Sequence, residues 1–262
     1  MKSNLICVDL GNTTVHCGSF IGNEFLAERT LATEPVFREP QALHKLIEEI
    51  APPDKGPWDA SFCSVVPKAN AQLEEVLSSC VETVFQLTSA TCEGLTISYP
   101  NPTEVGADRL ANAIAAQTHH GTPAIVIDLG TATTFDLVGS KSGYEGGIIA
   151  PGLALMTEYL AERTALLPKI DHDLSIPESF VGQSTQEAIR LGCSLGFPSM
   201  IQGILEGMLR EVATREGTEP TVIVTGGTAR KLIRALEVSW PVDSLLTLRG
   251  LVEAYRCQRR RH

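Results

Sequence analysis

The chain has 262 residues, of which 43% are hydrophobic and 20% charged, and a formal net charge of −10. No apolar run reaches the ~18 residues of a membrane span, and the acidic balance disfavours nucleic acid as the main partner, since counterion release needs clustered basic residues. Seven cysteines with no C-x-x-C pair argue against a disulfide framework and a zinc site, and the start Met1-Lys-Ser-Asn-Leu lacks signal-peptide architecture, so a cytoplasmic location is expected.

In chain order, the first element is Leu5-Ile-Cys-Val-Asp-Leu-Gly-Asn-Thr-Thr-Val-His-Cys-Gly18, an apolar run broken at Gly11 and resumed after it. That pattern predicts two strands and a tight turn. A Gly22-Asn23 turn then leads to a third strand. A helix is expected over Pro40 to Ile50, a strand over Ala60 to Val66, a helix over Ala69 to Cys80 and a strand over Thr83 to Leu87. Strand and helix alternate, as in an α/β sheet. After the proline-rich stretch Thr96 to Pro102, a helical pattern begins at Asp108, so Gly106, Ala107 and Asp108 occupy a helix start. Taken alone, an aspartate there is explained by capping and by the helix dipole.

The second half opens on Ala124-Ile-Val-Ile-Asp-Leu-Gly-Thr-Ala-Thr-Thr-Phe-Asp-Leu-Val138, again strand, turn, strand. A carboxylate closing a buried strand is costly unless paired or holding a cation, and the turn after it exposes N–H groups and hydroxyls. Such a turn suits a magnesium nucleotide. Tyr144 to Gly152 continues the meander into a helix over Leu153 to Ala165, with Gly146-Gly147 and Pro151-Gly152 permitting close backbone approach. A further helix begins within Gly182 to Gly192, capped by Ser184 or Thr185 with Glu187 placed for a capping box, and helix runs on to about Ala213. Thr221 to Ile233 reads as strand, glycine turn, helix. The Arg259-Arg-Arg-His262 tail, at the end of an expected C-terminal helix, either complements the helix dipole or is a solvated end.

The two acid-and-glycine hairpins match at a constant offset of 119, with Asp9 over Asp128, Gly11 over Gly130 and Thr14 over Thr133. The chain reads as a duplication, with domains 1–119 and 120–262. Paired hairpins of this kind resemble the phosphate-binding elements of the actin, hexokinase and Hsp70 superfamily. That resemblance implies an α/β fold of duplicated actin-like (ribonuclease H-like) halves, each a mixed sheet opened by a three-stranded meander and flanked by helices.

Other nucleotide signatures, G-x-x-x-x-G-K-[ST] and G-x-G-x-x-G, do not occur. Gly192-Cys-Ser-Leu-Gly196 satisfies G-x-S-x-G, but the preceding residues are helical and only His262 follows Ser194 to complete a triad in the expected order. Small residues for helix packing explain that spacing better.

Six short stretches in order carry a sharper resemblance: Asp9-x-Gly-Asn-Thr13, Gly106-Ala-Asp-Arg109 with Ala111-Asn112, Asp128-x-Gly-Thr-Ala132 with Thr134 and Asp136, the Gly146-Gly147 and Pro151-Gly152 pairs, Gly182-x-x-Thr185, and Thr225-Gly-Gly227. Together they resemble type III pantothenate kinase, a family distinguished from sugar kinases of the superfamily by Gly-Ala-Asp-Arg. The resemblance implies ATP-dependent phosphorylation of pantothenate, the first step of coenzyme A biosynthesis. It assigns ATP contacts to Asp9, Leu10, Gly11, Asn12, Thr13, Thr14, Val15, His16 and Thr131, with Gly226 and Gly227 near the adenosine. Tyr99, Gly106, Ala107, Arg109 and Thr185 would face pantothenate, with Asp108 as the proton acceptor. Asp128 would lie near a monovalent cation, potassium or ammonium, and Asp9 would serve magnesium through water. It also implies a homodimer in which Thr185 reaches the neighbouring subunit's site; the apolar residues of Leu195 to Leu209 could bury against that partner or in the chain's own core. His16 stands where some members carry Lys or Arg, and Gln183-Ser184 replaces a pair often containing Lys and Asn. Two other functions remain open: a non-catalytic accessory or regulatory protein of the same fold, and an actin-like sugar kinase.

Overall fold

β1 (Asn4–Leu10) is buried at Leu5, Ile6, Cys7, Val8 and Leu10, which is why a nearly continuous apolar run forms a central strand. The computed structural model describes residues 4–171, 174–175 and 179–260. β1 pairs antiparallel with β2 (Thr14–Ile21), which pairs in turn with β3 (Glu24–Ala32) across a turn where Gly22 takes φ +58°. α1 (Thr33–Arg38), too short to show a period in the sequence, and α2 (Pro40–Ile50) lead to β4 (Trp58–Ser64), parallel to β1. α3 (Asn70–Cys80) returns the chain to β5 (Val84–Gln86), parallel to β4, giving the sheet order β3-β2-β1-β4-β5. Leu43, Leu46, Ile47 and Ile50 of α2 and Leu73, Val76 and Leu77 of α3 bury against Ile6, Val8, Leu10 and Phe62.

After α4 (Ala107–Ala115) the arrangement repeats. β6 (Ala124–Leu129) pairs antiparallel with β7 (Ala132–Gly139), β8 (Gly143–Pro151) lies outside β7, and β9 (Thr221–Thr225) runs parallel to β6, in the order β8-β7-β6-β9. This is the order β3-β2-β1-β4 over again, so the expected duplication is present in the hydrogen bonding. The match at constant offset is not. Leu10 pairs with Val15 but Leu129 pairs with Thr133, so the second turn is one residue shorter, and Thr14 corresponds to Ala132 rather than Thr133.

α5 (Leu153–Arg163), α6 (Thr185–Glu216), α7 (Ala229–Leu236) and α8 (Leu246–Arg259) complete the chain. The helices read from Gly182 and to Ala213 are one, of 32 residues, running through Pro198. Its start is capped by Ser184, whose Oγ accepts from Glu187 N at 3.2 Å, while Glu187 Oε2 reaches one residue beyond the N-cap to accept from Gln183 N at 2.8 Å, a variant of the expected capping box. Phe197, Ile201 and Leu205 of α6 pack with Ile125, Ile127 and Phe135 into the second core. Ser194 therefore sits inside a helix and not on a nucleophile elbow, and Arg261 and His262 lie outside the described residues.

Two compact units emerge: one holds the chain up to His119, residues 142–144 and the chain from Leu245, the other residues 120–141 and 145–244. α8 thus belongs with the first unit, whereas division into halves at 119/120 gives it to the second. Three bonds tie it there: Thr247 Oγ1 to Asn112 Oδ1 at 2.8 Å, Ser61 Oγ to Leu251 O at 3.0 Å, and Tyr255 OH to Asp59 Oδ2 at 2.5 Å. A Cβ on Gly250 would stand 1.9 Å from Ala111 O, so glycine sets the approach of α8 to α4. All seven cysteines are free thiols, and among the described residues no helix is long and apolar enough to cross a membrane.

Candidate active site

In the first unit the turn after β1 is closed by Gly11 N donating to Thr14 O at 2.9 Å, and it leaves Asn12, Thr13 and Thr14 exposed. Thr33, 3% exposed at the start of α1, clamps this turn twice: its Oγ1 donates to Gly11 O at 2.8 Å and its N to Thr13 O at 2.9 Å. Nothing in the sequence pattern marked Thr33. Asp9 stands in register with His16 on one side and Cys63 on the other. The Cys63 thiol donates to Asp9 Oδ1 at 3.3 Å, while His16 Nε2 lies 2.8 Å from Glu28 Oε2.

The end of β4 links this turn to the start of α4. Val65 N donates to Leu10 O at 3.1 Å, and Val65 Cγ1 lies 3.6 Å from where a side chain on Gly106 would begin. Gly106 is the N-cap residue and makes no side-chain cap, and Asp108 follows as the second helical residue, its carboxylate serving a first-turn N–H. Its Oδ1 accepts from Arg109 N at 2.8 Å and lies only 2.4 Å from the position of a Gly106 Cβ, so glycine makes room for the carboxylate. Burial pushes the Asp108 pKa up, and the Arg109 N–H and guanidinium pull it partly back. Burial also pushes the Cys63 thiol well up, helped by the Asp9 and Asp108 carboxylates, so both acids act on one buried sulfur.

Arg109 lies over the Tyr144 ring at 5.9 Å, and Tyr99 packs against Tyr144 at 6.3 Å between centroids. Tyr144 is fully buried, and its backbone bonds to Thr96 O and Ser98 N at 2.8 Å each, which fixes the segment carrying Tyr99. In the sequence Tyr144 is marked only as an aromatic at the start of the third strand, two residues before the Gly146-Gly147 pair.

In the second unit Gly130 N donates to Ala132 O at 3.1 Å, the counterpart of the Gly11 bond. A Cβ on Gly152 would stand 2.3 Å from Thr131 O and 2.5 Å from Gly130 O, so the β8 to α5 junction rests on this turn. Gly226 has φ +91°, and its Cβ would lie 2.6 Å from the Leu129 backbone and 2.7 Å from Asp128 Oδ1. Thr228 Oγ1 donates to Leu129 O at 3.2 Å, holding the glycine turn over the end of β6. Asp136 is buried and accepts from Thr134 Oγ1 at 3.1 Å.

Among the described residues no three His, Cys, Asp or Glu side chains gather into a metal cage. The donors at the turns are a carboxylate each, with hydroxyls and backbone oxygens. Such a set fits magnesium, which keeps waters and phosphate oxygens around one or two carboxylates, and it does not fit zinc.

A profile of the type III pantothenate kinase family matches residues 5–207. The chain belongs to that family. The type III pantothenate kinase of Methylacidiphilum infernorum is 38% identical over 248 residues, 94% of this chain and 86% of that protein. That of Thermus thermophilus is 37% identical over 258 residues, 96% of this chain and 98% of that one. A solved structure described as a candidate 2-dehydro-3-deoxygalactonokinase from Sinorhizobium meliloti superposes with a TM-score of 0.58 at 15% identity, covering 96% of this chain and 98% of that one. That likeness shows the duplicated actin-like fold.

Against the type III pantothenate kinase pattern, the first unit gathers Asp9, Gly106 to Arg109 and Tyr99, and the second gathers Asp128, Thr131 and Gly226. Thr185 stands exposed at the first position of α6. Two motif residues prove to carry packing: Ala111 receives Gly250, and Asn112 accepts from Thr247.

Proposed function

We propose that this chain transfers the γ-phosphoryl group of ATP to pantothenate, giving 4′-phosphopantothenate in the first step of coenzyme A biosynthesis. The family match over residues 5–207 carries the reading. Phosphoryl transfer is mainly positioning and charge neutralisation, and the two turns offer N–H groups and hydroxyls of the kind that hold phosphates. The segment Asp9 to His16 and Thr131 serve the ATP phosphates, and Gly226 and Gly227 serve the adenosine. Tyr99, Gly106, Ala107, Arg109 and Thr185 orient pantothenate, with the Arg109 guanidinium suited to its carboxylate. Asp108 takes the proton of the attacking hydroxyl. Asp9 faces the magnesium of the nucleotide, which supplies charge neutralisation at the β- and γ-phosphates. The free thiols accord with a reducing cytoplasm. A coupled assay of ADP release decides among the functions: release with pantothenate alone supports this reading, release with hexoses a sugar kinase, and none an accessory protein.

Asp128 closes a buried strand, and its charge accounts for a monovalent cation beside it. Replacing sodium by potassium or ammonium at constant ionic strength raises activity, and Asp128→Ala abolishes that response; equal rates of the native enzyme in sodium alone overturn the assignment. The Thr33 clamp gives a second expectation. Thr33→Val loses the hydroxyl bond to Gly11 O, so stability falls by about 1 kcal/mol and KM for ATP rises more than kcat falls, as urea unfolding and steady-state kinetics would record.

A homodimer forms part of the same proposal. Within Leu195 to Leu209, Phe197, Ile201 and Leu205 are taken up by their own core, while Met200, Ile204, Met208 and Leu209 are only partly buried against it. The other side of α6 carries Gly192, Gly196, Gly203 and Gly207, where an added Cβ would meet nothing within 4 Å. Glycines inside a helix each cost about 1 kcal/mol against alanine, and a smooth face that lets a second helix approach closely offsets that cost. Leu166, Phe180 and Val181, at 90%, 75% and 73% exposure, add apolar surface in the same unit.

A further inference from the structure

Cys63 invites the bland reading of a small buried hydrophobe, since it is fully inaccessible near the end of β4. Its neighbours contradict that reading. β1 and β4 are parallel, Asp9 and Cys63 are partners in the register, and the thiol is aimed at Asp9 Oδ1 at 3.3 Å. A sulfur in an apolar core has no reason to face a carboxylate, whereas a buried carboxylate gains from every donor that reaches it. In this pair the thiol donates and the carboxylate oxygen accepts.

We propose that Cys63 is a positioning residue for the nucleotide side of the reaction, its S–H fixing the Asp9 carboxylate in the orientation that meets magnesium-bound ATP. The proposal rests on the kinase reading above. One oxygen of Asp9 is held by the strand neighbour, so the carboxylate plane is set before the nucleotide arrives, and binding spends no side-chain ordering on it. The effect belongs to ground-state binding of MgATP and not to the proton transfer at Asp108.

The test compares the native chain with Cys63→Ala and Cys63→Ser by steady-state kinetics and by calorimetric titration of ATP with and without magnesium. Cys63→Ala raises KM for MgATP roughly three- to tenfold, the scale of an ordinary hydrogen bond, because a thiol is a weak donor even to a carboxylate. Its kcat stays within about twofold and KM for pantothenate does not move, the signature of lost uniform binding. The calorimetric Kd for ATP weakens in step when magnesium is present and much less when it is chelated. Cys63→Ser keeps a donor on the same strand and restores KM. Unchanged KM and Kd in Cys63→Ala overturn the proposal, as does an equal loss in Cys63→Ser and Cys63→Ala, which would make the sulfur a matter of packing. If the native chain itself releases no ADP with pantothenate, the kinase reading fails; a native chain that turns over while Cys63→Ala binds MgATP normally sinks the positioning role alone.

Discussion

Asp108→Asn lowers kcat by roughly 10²-fold or more, the usual size of a general-base effect, while ATP binding and the fold persist. Asparagine fills the same volume over Gly106, and its side-chain oxygen still accepts from Arg109 N, the bond made at 2.8 Å by Asp108. What it lacks is the lone pair that takes the hydroxyl proton. Burial raises the Asp108 pKa, so the acid limb of kcat/KM lies above the ordinary carboxylate range, and activity falls with falling pH as Asp108 protonates. The stability consequence has the opposite dependence. A carboxylate whose folded pKa is raised binds its proton more tightly folded than unfolded, so its contribution is favourable below the unfolded pKa and is lost as pH rises through the folded value. At neutral pH the native chain holds a buried charge that the variant does not, so Asp108→Asn melts no lower than the native protein, and its advantage shrinks toward pH 4, where free carboxylates protonate. Near-native turnover, or a variant that melts well below the native protein at pH 7, would remove Asp108 from the role of base.

Much of this site is legible in the sequence because its parts are local. An apolar run ending in aspartate and glycine specifies a buried strand and a turn without help from distant residues, and both hairpins form where the pattern places them. What stays hidden is what crosses the chain. Thr33 clamps a turn some twenty positions earlier, and Cys63 reaches Asp9 through a strand pairing with no sequence signature. Tyr144 meets Arg109 and Tyr99 only once the fold is complete. The one-residue difference between the turns shows the same limit, since side-chain likeness at Thr14 and Thr133 suggests an equivalence that the hydrogen bonds at Thr14 O and Ala132 O replace. α8 follows from tertiary packing too: Gly250 and Thr247 read as unremarkable helix residues until Ala111 and Asn112 stand opposite them.

Two nearly inactive variants regain about a quarter of native activity when mixed, if each active site is completed by Thr185 of a second copy in a two-fold dimer. Asp108→Ala removes the base and leaves Thr185 intact. Thr185→Trp blocks the donated position and leaves Asp108 intact; because Thr185 is exposed at the first position of α6, the larger side chain burdens its own chain little. After reversible dissociation of an equal mixture, half of the dimers are mixed, and each of these holds one site with native Asp108 and native Thr185 and one site with neither. Random pairing therefore returns about one quarter of the native sites. The glycine face of α6 supplies an internal control. At Gly196 and Gly203 an added Cβ would meet nothing within 4 Å, so the side chains of Gly196→Leu and Gly203→Leu start in open space while forcing a partner helix away. Either should shift the protein toward monomer on sedimentation, lower activity in the otherwise native chain, and prevent the recovery on mixing. Subunits that demonstrably exchange without regaining activity would place Thr185 in its own chain's site, and monomeric native protein with full turnover would dispose of the shared site altogether.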